Sequence, residues 1–253
     1  MMPVVFFGHG SPLNAIQDNP CTRAWREFGR MNSRPVAVLC ISAHWYTRAT
    51  QVTAMPLPRT IHDFSGFPPA LHRFSYPAPG APELAARIQQ LLEPVVVTPD
   101  ASWGLDHGSW SVLCHVFPRA DIPVLQLSID ATQPASFHYE LGQRLAPLRA
   151  QGVLIAGSGG LVHNLGRYAR GDPPPQDWAL RAEQQLLELL QAGAHSALVD
   201  YKQLGEDVLN GIPTAEHYLP LLYVLGASAG AARILCRGIE GGSISLLSVQ
   251  FDA

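Results

Sequence analysis

The chain has 253 residues, of which 47% are hydrophobic and 15% are charged, and its formal net charge is -3. This balance is typical of a folded globular protein and argues against disorder. The sequence contains no run of Lys or Arg and no apolar stretch of membrane-spanning length, so we expect neither nucleic acid nor a membrane as partner. The N-terminus lacks the basic region of a signal peptide, and we expect a cytoplasmic protein.

The hydrophobic pattern alternates between strands and helices along the chain. Short apolar runs predict strands at 4–7, 36–41, 94–98, 122–129, 153–156, 234–236 and 243–249. Longer periodic stretches predict helices at 20–30, 82–92, 135–149, 178–192 and 215–226. The inner strands are hydrophobic throughout, which is typical of strands that are covered on both faces. We therefore predict an α/β three-layer sandwich with a mostly parallel or mixed central sheet covered by helices on both faces.

The connections between these elements predict one domain, residues 1–253, because neither a linker nor a repeat interrupts the pattern. The proline-rich segment 56–80 is long for a simple connection and is predicted to be a binding loop or a lid. The loop at 171–177 is expected to be a rigid surface turn. The cysteines show no paired spacing, so we expect reduced, mostly buried thiols at Cys21, Cys40, Cys114 and Cys236.

Three predicted strands are followed by a turn through glycine or serine and then by a histidine: His9, His44 and His163. In an α/β sheet the loops after the carboxyl ends of the strands converge, so histidines that are distant in sequence can meet there. Imidazole is the commonest metal ligand, and the pattern therefore predicts a metal site. For each histidine alone a structural role stays open, and for His163 a buried capping role competes.

Two further histidines lie in informative surroundings. His107 follows Asp106 among glycines, which indicates a shaped loop that carries a proton-transfer group. His217 lies at the start of the predicted helix 215–226, where it is either a cap or a ligand. No short metal motif such as H-E-x-x-H or C-x-x-C is present, so spacing alone leaves these roles open. The remaining histidines near helical patterns are expected to be surface or locally hydrogen-bonded side chains: His72, His115, His138 and His195.

A serine hydrolase is the alternative that the chain order allows. The segment Ala156-Gly157-Ser158-Gly159-Gly160 loosely matches a nucleophile elbow, and Asp207 and His217 follow it in the order of an α/β-hydrolase triad. The leading glycine of the elbow is absent, however, and this alternative leaves three of the histidines above without a role. We therefore rank a Ser158 hydrolase below a metalloenzyme.

Six motifs follow one another along the chain: Gly8-His9-Gly10-Ser11-Pro12, Ser42-Ala43-His44-Trp45, Thr60-Ile61-His62-Asp63-Phe64, Asp106-His107-Gly108-Ser109-Trp110, Val162-His163-Asn164 and Glu216-His217-Tyr218-Leu219-Pro220-Leu221. In this order and spacing they resemble the class III extradiol ring-cleavage dioxygenases, most closely the DOPA-4,5-dioxygenase branch. The resemblance covers essentially the whole chain. It implies a metal-dependent enzyme that cleaves the ring of a DOPA-like catechol with O₂ to give a semialdehyde.

The resemblance also implies roles for individual histidines. His9, His44 and His217 correspond to the metal ligands, and His107 corresponds to a second catalytic histidine. His163 corresponds to a residue that acts either as the catalytic acid/base or as a further metal ligand. Fe(II) is expected for turnover, because three protein ligands leave open positions for the catechol and O₂. Zn(II) also suits this ligand set, so zinc bound there would mark the site without identifying the native metal.

The substrate pocket and the partners are the last expectations from sequence. His62 and Trp45 are expected to contact the substrate. The expected partners are a small catechol and O₂, and the expected assembly is a monomer or a small homo-oligomer. Because related folds also serve as metal-binding interaction proteins, a non-catalytic protein of this kind is retained as an alternative.

Overall fold

Strands and helices alternate along the chain in the structure, a computed structural model that describes residues 1–171 and 173–252. The strands are β1 (Val4–Gly8), β2 (Ala37–Ser42), β3 (Tyr46–Thr47), β4 (Thr50–Thr53), β5 (Val97–Asp100), β6 (Val124–Gln126), β7 (Ile129–Asp130), β8 (Val153–Gly159), β9 (Ala232–Cys236), β10 (Ile239–Glu240), β11 (Ile244–Ser245) and β12 (Ser248–Phe251). The α-helices are α1 (Pro20–Met31), α2 (Pro69–His72), α3 (Pro82–Leu91), α4 (His107–Val116), α5 (Ala135–Leu145), α6 (Asp177–Gln191), α7 (His195–Val199), α8 (Glu206–Gly211) and α9 (Leu219–Ala227). Short 3-10 helices lie at Pro12–Ile16, Ala146–Gln151, Leu165–Arg167 and Tyr201–Gln203.

The central sheet has the strand order β6-β2-β8-β1-β12-β9. Strands β6, β2, β8 and β1 are parallel, whereas β12 is antiparallel to both of its neighbours. Successive side chains of a strand point to opposite faces, and in β1 Val4 and Phe6 enter one core while Val5 and Phe7 enter the other. Helices α5, α6 and α9 cover the first face, and α1 and α4 cover the second. The predicted three-layer sandwich with a mixed sheet is confirmed.

Several predicted elements have different bounds or partners in the structure. The strand predicted at 94–98 is β5, which pairs with β4 outside the central sheet. The loop predicted around His107 is instead the start of α4, where Asp106 Oδ1 accepts the Ser109 N–H at 3.1 Å. The sequence hides this helix because glycine and serine, which are weak helix formers, occupy its first turn. The predicted surface turn at 171–177 includes Asp172, which lies outside the described residues.

The expectation of reduced thiols is wrong for two of the cysteines. Cys21 and Cys236 form a disulfide with their Cα atoms 5.3 Å apart. Helix α1 packs against strand β9, and this packing joins positions that are 215 residues apart in sequence. Cys40 and Cys114 are free thiols, as expected, and burial raises the pKa of both. Within residues 1–171 and 173–252, no helix has the length and apolar character needed to cross a membrane.

His138 in α5 is fully buried instead of lying at the surface or bonding locally, and its Nδ1 is 3.0 Å from the hydroxyl of the sequence-distant Tyr223. Burial lowers the pKa of His138 from 6.5 to about 4. Below pH 6.5 the unfolded chain binds a proton at His138, whereas the folded protein binds it only near pH 4. The free energy of unfolding therefore decreases as the pH falls from 6.5 to about 4. Between pH 7 and pH 5, we expect the wild type to lose about 2 kcal/mol more free energy of unfolding than His138→Gln. Urea denaturation of both proteins at both pH values measures this difference, and equal losses would contradict it.

Candidate active site

His9, His44 and His217 lie together beyond the carboxyl ends of the parallel strands. One ring nitrogen of each histidine belongs to a set in which all atoms lie within 4.8 Å of one another. The Nε2 atoms of His9 and His44 are 3.2 Å apart. His9 directly follows β1, and His44 lies two residues after the end of β2. The sequence prediction that histidines from separate strand ends meet in space is therefore confirmed for this pair, and His217 joins them.

Strand β8 brings His217, from far along the chain, to the same edge of the sheet. The Gly160 N–H donates to the His217 carbonyl oxygen at 2.8 Å. A Cβ atom on Gly159 would lie only 2.1 Å from that oxygen, so the close approach requires glycine. His217 precedes α9 instead of lying inside it, since the helix begins at Leu219. A backbone contact, and not a local helical pattern, thus positions the third histidine.

Ser158 in β8 sets the tautomer of His9. The Ser158 hydroxyl donates its single proton to the Gly108 carbonyl oxygen at 2.5 Å, because a carbonyl only accepts. Ser158 Oγ therefore accepts the proton of His9 Nδ1 at 2.9 Å. The lone pair of His9 is then on Nε2, the atom that faces His44. A histidine that binds a metal through one ring nitrogen is usually oriented by a hydrogen bond from its other ring nitrogen.

The donor set of His9, His44 and His217 fits a metal ion. Two nitrogens bound to one ion at about 2.1 Å lie at most about 4.2 Å apart, and the His9–His44 separation of 3.2 Å satisfies this limit. His217 Nε2 is buried and has no hydrogen-bond partner among the described residues. An unpaired buried nitrogen costs free energy, and a bound cation would remove that cost. Burial and the neighbouring histidines lower the pKa of His9 and of His217 well below 6.5, so both rings are neutral donors.

Asp63, a residue that the sequence pattern does not indicate as part of the site, links two of the site histidines. Asp63 Oδ1 accepts from His107 Nδ1 at 2.9 Å and from the His107 backbone N–H at 3.1 Å. Its Oδ2 lies 3.4 Å from His44 Nδ1. Burial acts to raise the pKa of Asp63, but the hydrogen bond from His107 and the nearby histidines outweigh it and lower the pKa to about 2. The ionised carboxylate holds His107 with its Nδ1 protonated and its Nε2 free to accept.

His163 lies beside the cluster of three histidines. Its ring stacks on that of His217, with the centroids 3.4 Å apart and the planes 4° from parallel. The ligand atoms that group with His163 are those of His217 and Glu216, and not those of His9 and His44. Burial lowers the pKa of His163 to about 4. The ring is therefore neutral at pH 7 and can accept a proton from a hydroxyl group.

A cavity of about 650 Å³ opens in front of these histidines. Its volume lies in the usual range for a small-molecule site. Five histidines line it: His9, His44, His107, His163 and His217. Phe64 and Phe67 from segment 56–80 form part of its apolar wall, as expected for a binding loop, and Glu240 and Arg170 supply charged groups.

His62 and Trp45, which we expected to contact the substrate, do not line this cavity. His62 Nε2 donates to the Phe74 carbonyl oxygen at 2.9 Å. Trp45 is buried and stacks on Trp103, with the ring centroids 5.7 Å apart. In each motif the neighbouring residue, His44 or Asp63, lines the cavity instead. Direct substrate contact in this cavity is therefore not expected of either residue.

The structure also contradicts the hydrolase alternative. Asp207 lies at the surface, where its carboxylate oxygens accept from Arg181 at 2.6 and 3.0 Å. Ser158 is buried, donates its proton to a carbonyl and contacts His9, not His217. The three residues of the proposed triad are therefore not assembled.

The family of the chain follows from comparison with known proteins. Residues 7–239 match the family described as the catalytic LigB subunit of aromatic ring-opening dioxygenase. The chain belongs to this family of metal-dependent extradiol dioxygenases, and it is an oxidoreductase that opens aromatic rings with O₂. This membership disfavours the alternative of a non-catalytic interaction protein.

Particular relatives within this family are highly similar over their full length. A protein of Escherichia coli (strain K12) named 4,5-DOPA dioxygenase extradiol is 50% identical over 98% of this chain and 94% of its own. A protein of Beta vulgaris with the same name is 38% identical, over 98% of this chain and 96% of its own. The crystal structure of an uncharacterized protein from Escherichia coli K12 has a TM-score of 0.85 and 44% identity, and the match covers 99% of this chain and 100% of that one.

Replacing Ser158 with alanine is expected to weaken metal binding without removing the chemistry. The variant deletes the acceptor that holds His9 Nδ1, and loss of such a partner costs about 10–100-fold in metal affinity. Competition with a chromogenic chelator measures this loss, and activity should return when the metal is saturating. An unchanged affinity would contradict the orienting role, whereas inactivity at full metal occupancy would restore Ser158 as a candidate nucleophile.

Proposed function

We propose that His9, His44 and His217 hold Fe(II) and that the enzyme cleaves a DOPA-like catechol to a semialdehyde. The observation that carries this proposal is the convergence of three neutral imidazoles on one wall of a cavity that His163 also lines. A ferrous ion bound there would supply adjacent positions for both catechol oxygens and for O₂, together with the electron transfer between them. The names of the relatives support the substrate class.

His163 is the proposed base for one catechol hydroxyl. The ring is neutral at pH 7 because burial lowers its pKa to about 4. It lines the cavity and belongs to no cluster with His9 and His44. A neutral imidazole in this position accepts the hydroxyl proton and, as imidazolium, returns it later in the reaction.

His107 is the proposed partner for the second hydroxyl. Asp63 fixes the proton on His107 Nδ1 at 2.9 Å, so His107 Nε2 carries the lone pair. The carboxylate also stabilises the imidazolium that forms when this nitrogen accepts a proton, as in other Asp–His pairs. A catechol has two hydroxyl protons, and the site provides two histidines outside the ligand set to receive them.

Reconstitution with a single metal tests the proposal. The apoprotein is loaded anaerobically with Fe(II) or with Zn(II), and O₂ uptake and visible absorbance are followed with a panel of catechols. We expect a coloured ring-opened product and matching O₂ uptake with Fe(II) only, since zinc has no redox chemistry. The absence of O₂ uptake with every catechol in the Fe(II) form would overturn the proposal.

A further inference from the structure

Glu240, at the end of β10, lines the same cavity as the site histidines but has no role in the ring-cleavage chemistry. Its Oε2 accepts the Ser11 backbone N–H at 3.0 Å. Among the described residues it forms no ion pair. Burial raises the pKa of the Glu240 carboxyl, and the Ser11 bond lowers it only in part. The cavity therefore contains a half-buried carboxylate that forms no ion pair with any described residue.

The backbone around Glu240 leaves space for this carboxylate. Gly10 has a φ of +57°, and a Cβ atom there would lie 2.6 Å from Glu240 Oε2. Glycine at position 10 thus permits both the left-handed turn and the contact between Ser11 and Glu240. Because Gly10 directly follows His9, this turn holds the carboxylate near the strand end that carries the metal site.

A carboxylate in such surroundings is favourable only when it is paired, and the described residues supply just one hydrogen bond. A cation brought by the ligand would provide the missing partner. Tyr168 and Arg170 line the cavity as well, and the pKa of Tyr168 is raised first by burial and then by the charge of Glu240, while Arg170 opposes this shift. Glu240 and Arg170, which carry opposite charges, thus line one cavity, a combination that suits the ammonium and the carboxylate of an amino acid.

We propose that Glu240 binds the ammonium group of the substrate and so selects catechols with a cationic amine side chain. The inference rests on the proposed function, which assigns the catechol ring to the histidine end of the cavity. It goes further by naming the residue that recognises the side chain. Arg170 is complementary, since its guanidinium suits the carboxylate of an amino acid side chain.

Anaerobic titration calorimetry of the zinc-loaded protein tests this assignment without turnover. The ligands are L-DOPA, dopamine, which lacks the carboxylate, and dihydroxyphenylpropionate, which lacks the ammonium. In Glu240→Gln we expect L-DOPA and dopamine to bind about tenfold to a hundredfold more weakly, and dihydroxyphenylpropionate to bind unchanged. The amide oxygen can still accept from Ser11, so the turn is preserved, and Glu240→Asp should recover part of the loss.

Two further variants complete the test. Arg170→Gln should weaken the two ligands that carry a carboxylate and leave dopamine unchanged. Glu27→Gln removes a solvent-exposed carboxylate of α1 and should alter none of the three affinities. Thermal melting of each variant verifies that it folds. Equal affinities of wild type and Glu240→Gln for L-DOPA and dopamine, or an equal loss for all three ligands, would overturn the inference.

O₂ uptake by the Fe(II)-loaded protein separates this inference from the proposed function. Ring cleavage of all three ligands with the same kcat/KM in wild type and Glu240→Gln would keep the function and refute the role of Glu240. Failure to consume O₂ with any catechol, together with a Glu240-dependent preference in the zinc form, would refute the function and keep the binding site. Absence of binding by any ligand to the zinc form refutes the inference.

Discussion

In the variant His163→Gln, kcat for ring cleavage at pH 7 is expected to fall by about 10²–10⁴-fold, the usual contribution of a general acid–base group. Glutamine keeps the approximate size and polarity of the side chain but cannot accept and return a proton at this pH. Metal affinity should change little, because His163 does not group with His9 and His44. Steady-state O₂ uptake at full Fe(II) occupancy measures kcat, and a chelator competition measures metal affinity.

The pH profile provides a second measurement for His163. A base must be neutral to act, so wild-type activity should hold down to about pH 5 and decline as the pH approaches the lowered pKa of about 4. This acid limb should be weaker in His163→Gln. If the variant instead loses the metal together with its activity, His163 is a fourth ligand and the acid/base role is refuted.

The variant His217→Ala is expected to lose metal binding and, with it, all ring cleavage. His217 Nε2 is buried with no partner in the described part of the chain, and the ring nitrogens of the three histidines form one set within 4.8 Å. Removal of a direct ligand should cost more than the 10–100-fold that loss of an outer partner costs. The wild type should also be stabilised by metal, by about 2.7 kcal/mol at a hundred times the Kd, and this gain should vanish in the variant.

Thermal melting with metal and with a chelator, combined with metal analysis, measures these effects. His195→Gln is a matched control. His195 begins α7, its Nδ1 is 3.0 Å from the Tyr139 hydroxyl, and it does not line the cavity. It should retain the metal, the melting shift and the activity. A wild type that melts at the same temperature with metal and with a chelator would contradict the ligand assignment.

The histidines of the site could be predicted from the sequence because their positions follow from the backbone. Apolar strands that end in a turn and a histidine must deliver that histidine to the carboxyl edge of a parallel sheet. His9 and His44 meet there for this reason. His217 was found by its motif and not by strand pattern, since a contact with Gly160 brings it to the edge.

The side chains that support the histidines could not be predicted in the same way. The sequence favours His62 over its neighbour Asp63, yet Asp63 lies at the site, because the direction in which each side chain of a loop points depends on packing. The position of Glu240 in the cavity likewise cannot be predicted from local sequence, because its contact with Ser11 joins residues 229 apart. The disulfide between Cys21 and Cys236 cannot be predicted from local pattern either, because it depends on how α1 packs against β9.

The amino-acid sequence is sufficient to predict the α/β sandwich, the family motifs and the set of histidines that reach the sheet edge. These properties depend on hydrophobic periodicity and on chain order, which are local and can be read directly. The folded chain is needed to see which histidines share one cluster, that Ser158 and Asp63 orient their rings, and that Glu240 lines the same cavity. These properties depend on distances between atoms far apart in the chain, and packing of the whole core sets such distances.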